Sequence, residues 1–207
     1  MRLFVLGATG KTGGALVAQA VARGHIVTTF GRSSFAGDDR AKVLSISGNP
    51  MSEMDLADAL PGHDAVLSVL GTRGLGATSV LVDSSRATIA AMRKAGVRRL
   101  VILSSALLDS HIGLVNRIVG RTLLRHFSSD QRGMEKLVTA SDLDWTVLRP
   151  ARMTASAPDG RSTSILGEPP DSAGMQITKE EVARVMLDTV ENRRHIKKLV
   201  HVRGARR

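Results

Sequence analysis

A glycine-rich turn set directly between a short apolar strand and a helix constrains this chain more than any other feature. The segment is Val5-Leu6-Gly7-Ala8-Thr9-Gly10-Lys11-Thr12-Gly13-Gly14. Leu3 to Leu6 read as a buried parallel strand, and Ala15 to Ala22 continue as a helix with no breaker. In such a corner the first glycine permits the tight turn, the second lets backbone approach a pyrophosphate, and the third lets helix and strand pack closely. Gly7, Gly10 and Gly13 fill these places, in the spacing GxxGxxG. The unpaired amides at the helix start then face phosphate, with Thr9, Lys11 and Thr12 adding donors or charge. Twenty of the 207 residues are glycine, so the pattern alone is also what a plain structural turn would show. A strand before, a helix after, and a second strand from Ile26 to Phe30 ending at a charged residue favour a dinucleotide site.

Apolar β-rich runs alternate with helical segments along the rest of the chain. Strands are predicted near 2–6, 25–30, 42–47, 64–70, 100–103 and 145–148, and helices over 11–23, 52–60, 79–95 and much of 113–141. This alternation predicts an α/β fold, a single doubly wound parallel-sheet Rossmann domain spanning 1–207. Gly24, Gly62 and Gly96 stand where helices need left-handed ends. From 150 to about 175 the composition shifts to Ala, Ser, Pro, Asp and Gly, with one short strand at Ser162 to Leu166. That stretch is expected to form a small loop-rich C-terminal substrate lobe beyond the sheet's carboxyl edge. A helix from Lys179 to Glu191, capped by Thr178, and a strand from Leu199 to Val202 close the domain.

Composition narrows the partners. The absence of cysteine excludes disulfides, thiolate nucleophiles and zinc-thiolate sites, and fits a reducing cytoplasm. The six histidines, His25, His63, His111, His126, His195 and His201, show no metal-binding spacing and read as surface or cap residues, so no metal is expected. No apolar run approaches a bilayer span, no signal peptide is recognisable, and no membrane association is expected. A net charge of +10 invites a nucleic-acid reading. Four Phe, one Trp and no Tyr leave too little for base stacking to favour it, and a basic field also attracts an anionic cofactor. Arg117, Arg121 and Arg125 on one helical face, and the basic cluster from Arg193 to Arg207, read equally as solvated surface.

The candidate chemistry lies at the carboxyl ends of the predicted strands. Gly31-Arg32-Ser33-Ser34 follows the second, where an NAD-binding fold places an acidic residue on the ribose. A guanidinium with hydroxyls beside it suits a 2′-phosphate instead, which predicts NADP(H) in preference to NAD(H). Asn49 and Pro50 end the third strand beside the expected adenine. Leu70, Gly71, Thr72 and Arg73 end the fourth with a close backbone approach and a cation. Ser104 and Ser105 end the fifth, where a nicotinamide belongs, and Pro150 ends the sixth. The convergence carries more weight than any one motif.

Together GATGKTG, GRSS, LGTR, LVILSSALL and LDWTVLRP, with ITKEEVA before the last helix, resemble the atypical short-chain dehydrogenase/reductase superfamily. The likeness is to its NAD(P)-binding, NmrA-like branch, and most of all to the biliverdin-IXβ reductase (flavin reductase) group. It covers nearly the whole chain. The resemblance implies cofactor contacts at Gly7, Thr9, Gly10, Lys11, Thr12, Arg32, Asn49, Pro50, Leu70, Gly71, Arg73, Leu103, Gln131, Arg152 and Met153. Typical members donate a proton from the Tyr of a YxxxK pair, whereas Phe127 and Gln131 fill those places here and the chain has no tyrosine. Ser105 remains at the position of the carbonyl-orienting serine. Asp130 is the nearest candidate for proton transfer, its alternative being a solvent-facing helical residue. Arg73, Arg125 and Arg152 are further candidates for anchoring an acidic acceptor.

Two readings follow. The first is an NADPH-dependent reductase passing hydride to a small planar acceptor, such as a flavin or tetrapyrrole, for which solvent supplies the proton. The second is a catalytically inactive NmrA-like NADP(H)-binding redox sensor, which loss of the Tyr/Lys pair favours. Nucleotide-sugar isomerase chemistry needs the missing tyrosine and a larger C-terminal domain. The resemblance implies a monomer or a weak homodimer.

Overall fold

The computed structural model describes residues 1–36, 42–71, 78–106, 125–154, 165–167 and 176–204. Ten strands and five helices lie among them: β1 Arg2–Leu6, α1 Lys11–Ala22, β2 Ile26–Gly31, β3 Val43–Ser47, α2 Glu53–Ala59, β4 Ala65–Ser68, α3 Val80–Ala95, β5 Arg99–Leu103, α4 Arg125–Thr139, β6 Asp144–Pro150, β7 Arg152–Thr154, β8 Ile165–Gly167, β9 Gln176–Thr178, α5 Lys179–Glu191 and β10 Lys198–Arg203. The main sheet runs in the order β3-β2-β1-β4-β5-β6-β10-β8. Its first seven strands are parallel, and β8 joins antiparallel on β10. This is the Rossmann-like parallel sheet that the alternation predicts.

Successive residues of a parallel strand face opposite layers, and both faces here are covered. Leu3, Val5, Val27, Leu67, Val101 and Leu148 pack with Leu16, Val17, Met186 and Val190 of α1 and α5 on one side. Phe4, Leu6, Phe30, Val66, Leu100 and Val147 pack with Leu56, Met92, Met134 and Val138 of α2, α3 and α4 on the other. Each fully buried Leu or Phe contributes roughly 1.5–3 kcal/mol relative to exposure, so the two cores hold the strand ends in a fixed array. Strand order reverses between β1 and β4, and in open α/β sheets a ligand crevice opens beyond the strand ends at such a point.

Several local expectations need correction. β7, where the sequence predicts irregular lobe, pairs with β9 just beyond that lobe in a separate two-stranded parallel sheet, with Arg152 opposite Gln176. The short strand near 162–166 lies at Ile165–Gly167. His25 and His201 are buried, not surface residues. His25 Nε2 sits 2.6 Å from Glu191 Oε1, and His63 bridges Thr28 Oγ1 and the Leu60 carbonyl. Thr178 caps α5 as expected, its hydroxyl accepting the Glu181 amide at 3.1 Å. The helix before residue 125, the rest of the 150–175 lobe, and Arg117, Arg121, Arg206 and Arg207 lie outside the described residues. No described helix is long and apolar enough to cross a membrane.

At the amino end of the sheet, buried Arg99 ties β5 to the turn between α5 and β10. Its guanidinium donates to the carbonyls of Asp144 (2.7 Å), Thr189 (3.1 Å) and Arg194 (2.9 Å) and to Thr146 Oγ1 (2.9 Å). Burial, with Arg193 nearby, lowers its pKa to about 10. The turn carries three left-handed residues, Arg193, His195 and Lys197, at φ 47°, 57° and 56°. Such conformations cost about 1 kcal/mol or more apiece for non-glycine residues, which the bonds to Arg99 offset.

Candidate active site

The site is assembled at the carboxyl ends of β1, β2, β3, β4 and β5. Gly7 follows β1 with φ +87°, and a Cβ there would lie 2.8 Å from the Val69 carbonyl group and 2.9 Å from the Leu70 amide nitrogen. The turn thus runs against the backbone leaving β4, and only glycine fits. At Gly13 a Cβ would stand 2.2 Å from the Gly7 carbonyl oxygen, so α1 packs directly on the turn. Gly10 caps α1 without a side-chain cap, and Thr9, Gly10 and Lys11 are exposed while Thr12 is buried. Helix α1 therefore presents uncapped amides and an exposed lysine at its positive end, the arrangement that receives phosphate.

The flanking residues fall around this turn. Arg32 and Ser33 are exposed just beyond β2. Asn49 is exposed and its loop is braced: its amide donates to Asp55 Oδ2 at 2.9 Å, and its own Oδ1 accepts the Met51 amide at 3.1 Å. Ser52 Oγ donates to Asp55 Oδ1 at 2.6 Å. The Asn49 amide and the Ser52 hydroxyl hold the Asp55 carboxyl below the usual carboxylate range. With Oδ1 already engaged by the Met51 amide, the Asn49 side chain keeps its NH2 group as a donor. Pro50 is buried beneath it. Leu70 is half-buried and Gly71 exposed, whereas Thr72 and Arg73 lie outside the described residues.

At the other end of the crevice, Leu103 and Ser105 are half-buried, and Ser104 is buried with its amide donating to the Leu148 carbonyl at 2.7 Å. Ser104 Oγ and Gln131 Oε1 are buried with no hydrogen-bond partner among the described residues. A buried polar atom without a partner costs about 1–3 kcal/mol, and of the seven such atoms among the described residues Ser104 Oγ stands at the carboxyl end of β5, where a polar ligand would be bound. Pro150 is buried at the end of β6 and Arg152 is exposed in β7. Met153 Sδ lies 4.0 Å from Thr12 Oγ1, which brings β7 over the start of α1.

Asp130 is placed differently from the solvent-facing alternative. It is buried, and its carboxylate accepts the amides of Leu81 (3.1 Å) and Val82 (2.9 Å) in the first turn of α3. Ser79, the local N-cap, makes no side-chain cap. Its hydroxyl instead bonds Asp83, holding that carboxyl below its ordinary range. Asp130 thus caps α3 from α4, a duty no local spacing reveals. Sequence reasoning also missed Glu135, one turn further along α4, which forms a two-pronged ion pair with Arg149 of β6 at 2.9 and 2.6 Å. Together these contacts anchor both ends of the α4 segment that carries Gln131.

Comparison with known proteins agrees with the fold. The chain is 26% identical to UPF0659 protein YMR090W of Saccharomyces cerevisiae over 92% of its own length and 87% of that protein's. It is 26% identical to YwnB of Bacillus subtilis, covering 94% of each chain. Among solved structures it resembles the oxidoreductase ylbE of Lactococcus lactis, with a TM-score of 0.85, 20% identity, and coverage of 100% of this chain and 92% of that one. A short-chain dehydrogenase/reductase of Veillonella parvula in complex with NADP gives a TM-score of 0.82 at 18% identity, over 99% and 94% of the two chains. The likeness to these structures shows the fold. Residues 7–193, which run from the first glycine of the turn past the end of α5, match the NAD(P)H-binding family, and the chain belongs to it.

Proposed function

We propose that this protein is an NADPH-dependent reductase of the NmrA-like, flavin-reductase type, acting on a flavin or another small planar acceptor. The observation that carries this reading is the pair of buried polar atoms, Ser104 Oγ and Gln131 Oε1, that have no partner among the described residues and that this reading sets at the nicotinamide end of the crevice. Both are neutral hydrogen-bonding groups, suited to orient a carboxamide or ribose and not to donate a proton. The chain has no tyrosine, and the oxygens of Asp130 are occupied by α3. Chemistry that needs no acid from the protein fits this arrangement: hydride to an electron-poor planar acceptor, with the proton taken from water.

The residues fit the cofactor. Gly7 and Gly13 leave room for close backbone approach, the start of α1 with Lys11 suits the pyrophosphate, Asn49 the adenine, and Arg32 with Ser33 the 2′-phosphate that distinguishes NADP(H) from NAD(H). When bound, NADPH supplies the hydride from its nicotinamide ring. The protein's part is orientation: Ser104, Ser105 and Gln131 fix the ring's position, and the crevice mouth near Arg152 and Met153 receives the acceptor. That the related Veillonella parvula protein was crystallised with NADP supports the cofactor choice.

A non-catalytic NADP(H) sensor is the second reading, favoured by Phe127 and Gln131 at the Tyr and Lys places. Anaerobic NADPH oxidation with and without FMN, against a Gly10→Glu variant that sets a carboxylate at the phosphate-binding turn, separates the two. FMN-dependent oxidation lost in the variant is expected. Tight NADPH binding with no turnover on FMN, other flavins, quinones or biliverdin would establish the sensor.

A further inference from the structure

The loop that carries Arg32 is bonded to the edge strand through protein groups alone. Beyond β2 the chain turns over β3, and the Phe35 amide donates to Ser45 Oγ at 2.8 Å. Ser34 Oγ and Ser47 Oγ lie 3.4 Å apart. The Phe35 ring packs against the core on the α1 side, which Val43 and Ala15 also join. Val43, Ser45 and Ser47 alternate along β3 and so share one face. In the parallel register Ser45 stands beside Thr29 and Ser47 beside Gly31, so the two hydroxyls lie directly beneath the loop. Along this face the strand passes from half-buried Val43 and Ser45 to exposed Ser47, and the two hydroxyls are suited to receiving a loop's polar groups.

We infer that Ser45, with Ser47 and Phe35, is a specificity-determining latch that holds the Arg32 loop in its phosphate-receiving form. The inference rests on the assignment of Arg32 to the 2′-phosphate and extends it to residues that do not touch the ligand. Arg32 has a long, exposed side chain, and its affinity for phosphate depends on how much of its own ordering is already complete. With the Phe35 amide bonded to Ser45 and the Ser34 hydroxyl 3.4 Å from that of Ser47, part of the backbone freedom beyond Arg32 is spent during folding. Ser45 and Ser47 are therefore positioning residues that act through Arg32 and Ser33, and their effect falls on ligands that carry the 2′-phosphate.

The test compares 2′,5′-ADP with 5′-ADP by titration calorimetry on the full chain, in wild type, Ser45→Ala, Ser45→Ala/Ser47→Ala and Arg32→Ala. Loss of one preorganising hydrogen bond corresponds to about fivefold in affinity, so Ser45→Ala should weaken 2′,5′-ADP by about that factor and the double variant further. Binding of 5′-ADP should stay within about twofold of wild type, the two ligands sharing every other group. Amide hydrogen exchange at Phe35 supplies an independent readout, and it should accelerate in Ser45→Ala without ligand. Unchanged 2′,5′-ADP binding in Ser45→Ala beside selective loss in Arg32→Ala would overturn the latch while keeping the phosphate assignment. Equal loss of both ligands in Arg32→Ala would overturn the assignment and the latch together. Equal loss of both ligands in Ser45→Ala would show general loosening and refute the specificity role.

Discussion

Replacing Asp130 by alanine tests whether this carboxylate serves structure or chemistry. In the native fold its two oxygens accept the amides of Leu81 and Val82, the second and third residues of α3, at 3.1 and 2.9 Å. Ser79 does not cap the helix in its place. Loss of a cap costs about 0.5–2 kcal/mol, and a buried amide left without its acceptor about 1–3 kcal/mol. Some relief comes from water entering the gap, so a loss of about 2–4 kcal/mol is expected for the pair. For a chain of this size each kcal/mol shifts Tm by about 2–4 °C, which puts the variant roughly 5–15 °C below wild type. Asp130→Asn keeps one acceptor oxygen and should fall between. Thermal unfolding by circular dichroism, with and without saturating NADPH, reads the shift. Because α3 begins just beyond the segment that follows β4, NADPH affinity should fall alongside. An unchanged Tm with a large loss of kcat at unchanged NADPH affinity would refute the capping argument and return Asp130 to the role of proton donor.

Gly13→Ala should cost about 1–3 kcal/mol and most of the NADPH affinity, since its Cβ would stand 2.2 Å from the Gly7 carbonyl oxygen and α1 must move away from the turn. Gly14→Ala meets nothing within 4 Å and should be neutral or up to about 1 kcal/mol stabilising, with binding intact; calorimetric unfolding of the two variants checks both. His195 should make the protein acid-sensitive. Burial, then Arg194 and Arg99, lower its pKa, so its contribution to stability is complete above the ordinary histidine value and is lost as pH falls through the folded-state value. His195→Asn, which tolerates the left-handed backbone at φ 57°, should flatten the fall in Tm between about pH 7 and pH 5; an identical slope in both proteins would rule this out.

What could be read from the sequence and what could not divide along a physical line. The glycine turn was legible because much of its demand is local: Gly7 has a positive φ, Gly13 packs on Gly7, and the surrounding strand and helix have strong periods, although the approach of Gly7 to Val69 is long-range. Helix α5 was legible to the residue, since Thr178 and Glu180-Glu181 form a complete starting signal within four positions. The β7 and β9 strands were not, being three residues each, too short for alternation to show. Asp130 and Ser45 were misplaced or missed for another reason. Their partners lie 48–49 and 10 residues away and belong to other elements, so no spacing rule connects them. The burial of His25 follows likewise from Glu191, 166 residues distant.

Adjacent positions on α4 show how the site keeps its form without the usual acid. Asp130 secures α3, Glu135 secures β6 through Arg149, and between them Gln131 has a buried carbonyl oxygen with no partner among the described residues. A lysine there would add a charge that burial penalises by several kcal/mol unless a phenol or carboxylate balanced it, and this chain has no tyrosine to do so. An amide avoids that cost while still accepting a hydrogen bond from a sugar hydroxyl. On the proposed reading, with Phe127 and Gln131 at the places of Tyr and Lys, a neutral amide at 131 suits a chain without tyrosine, and this pair would orient a cofactor without donating a proton. The proposed acceptor, whose reduction takes its proton from water, is consistent with that arrangement. Restoring lysine alone, by Gln131→Lys, should accordingly lower stability without creating alcohol dehydrogenase activity.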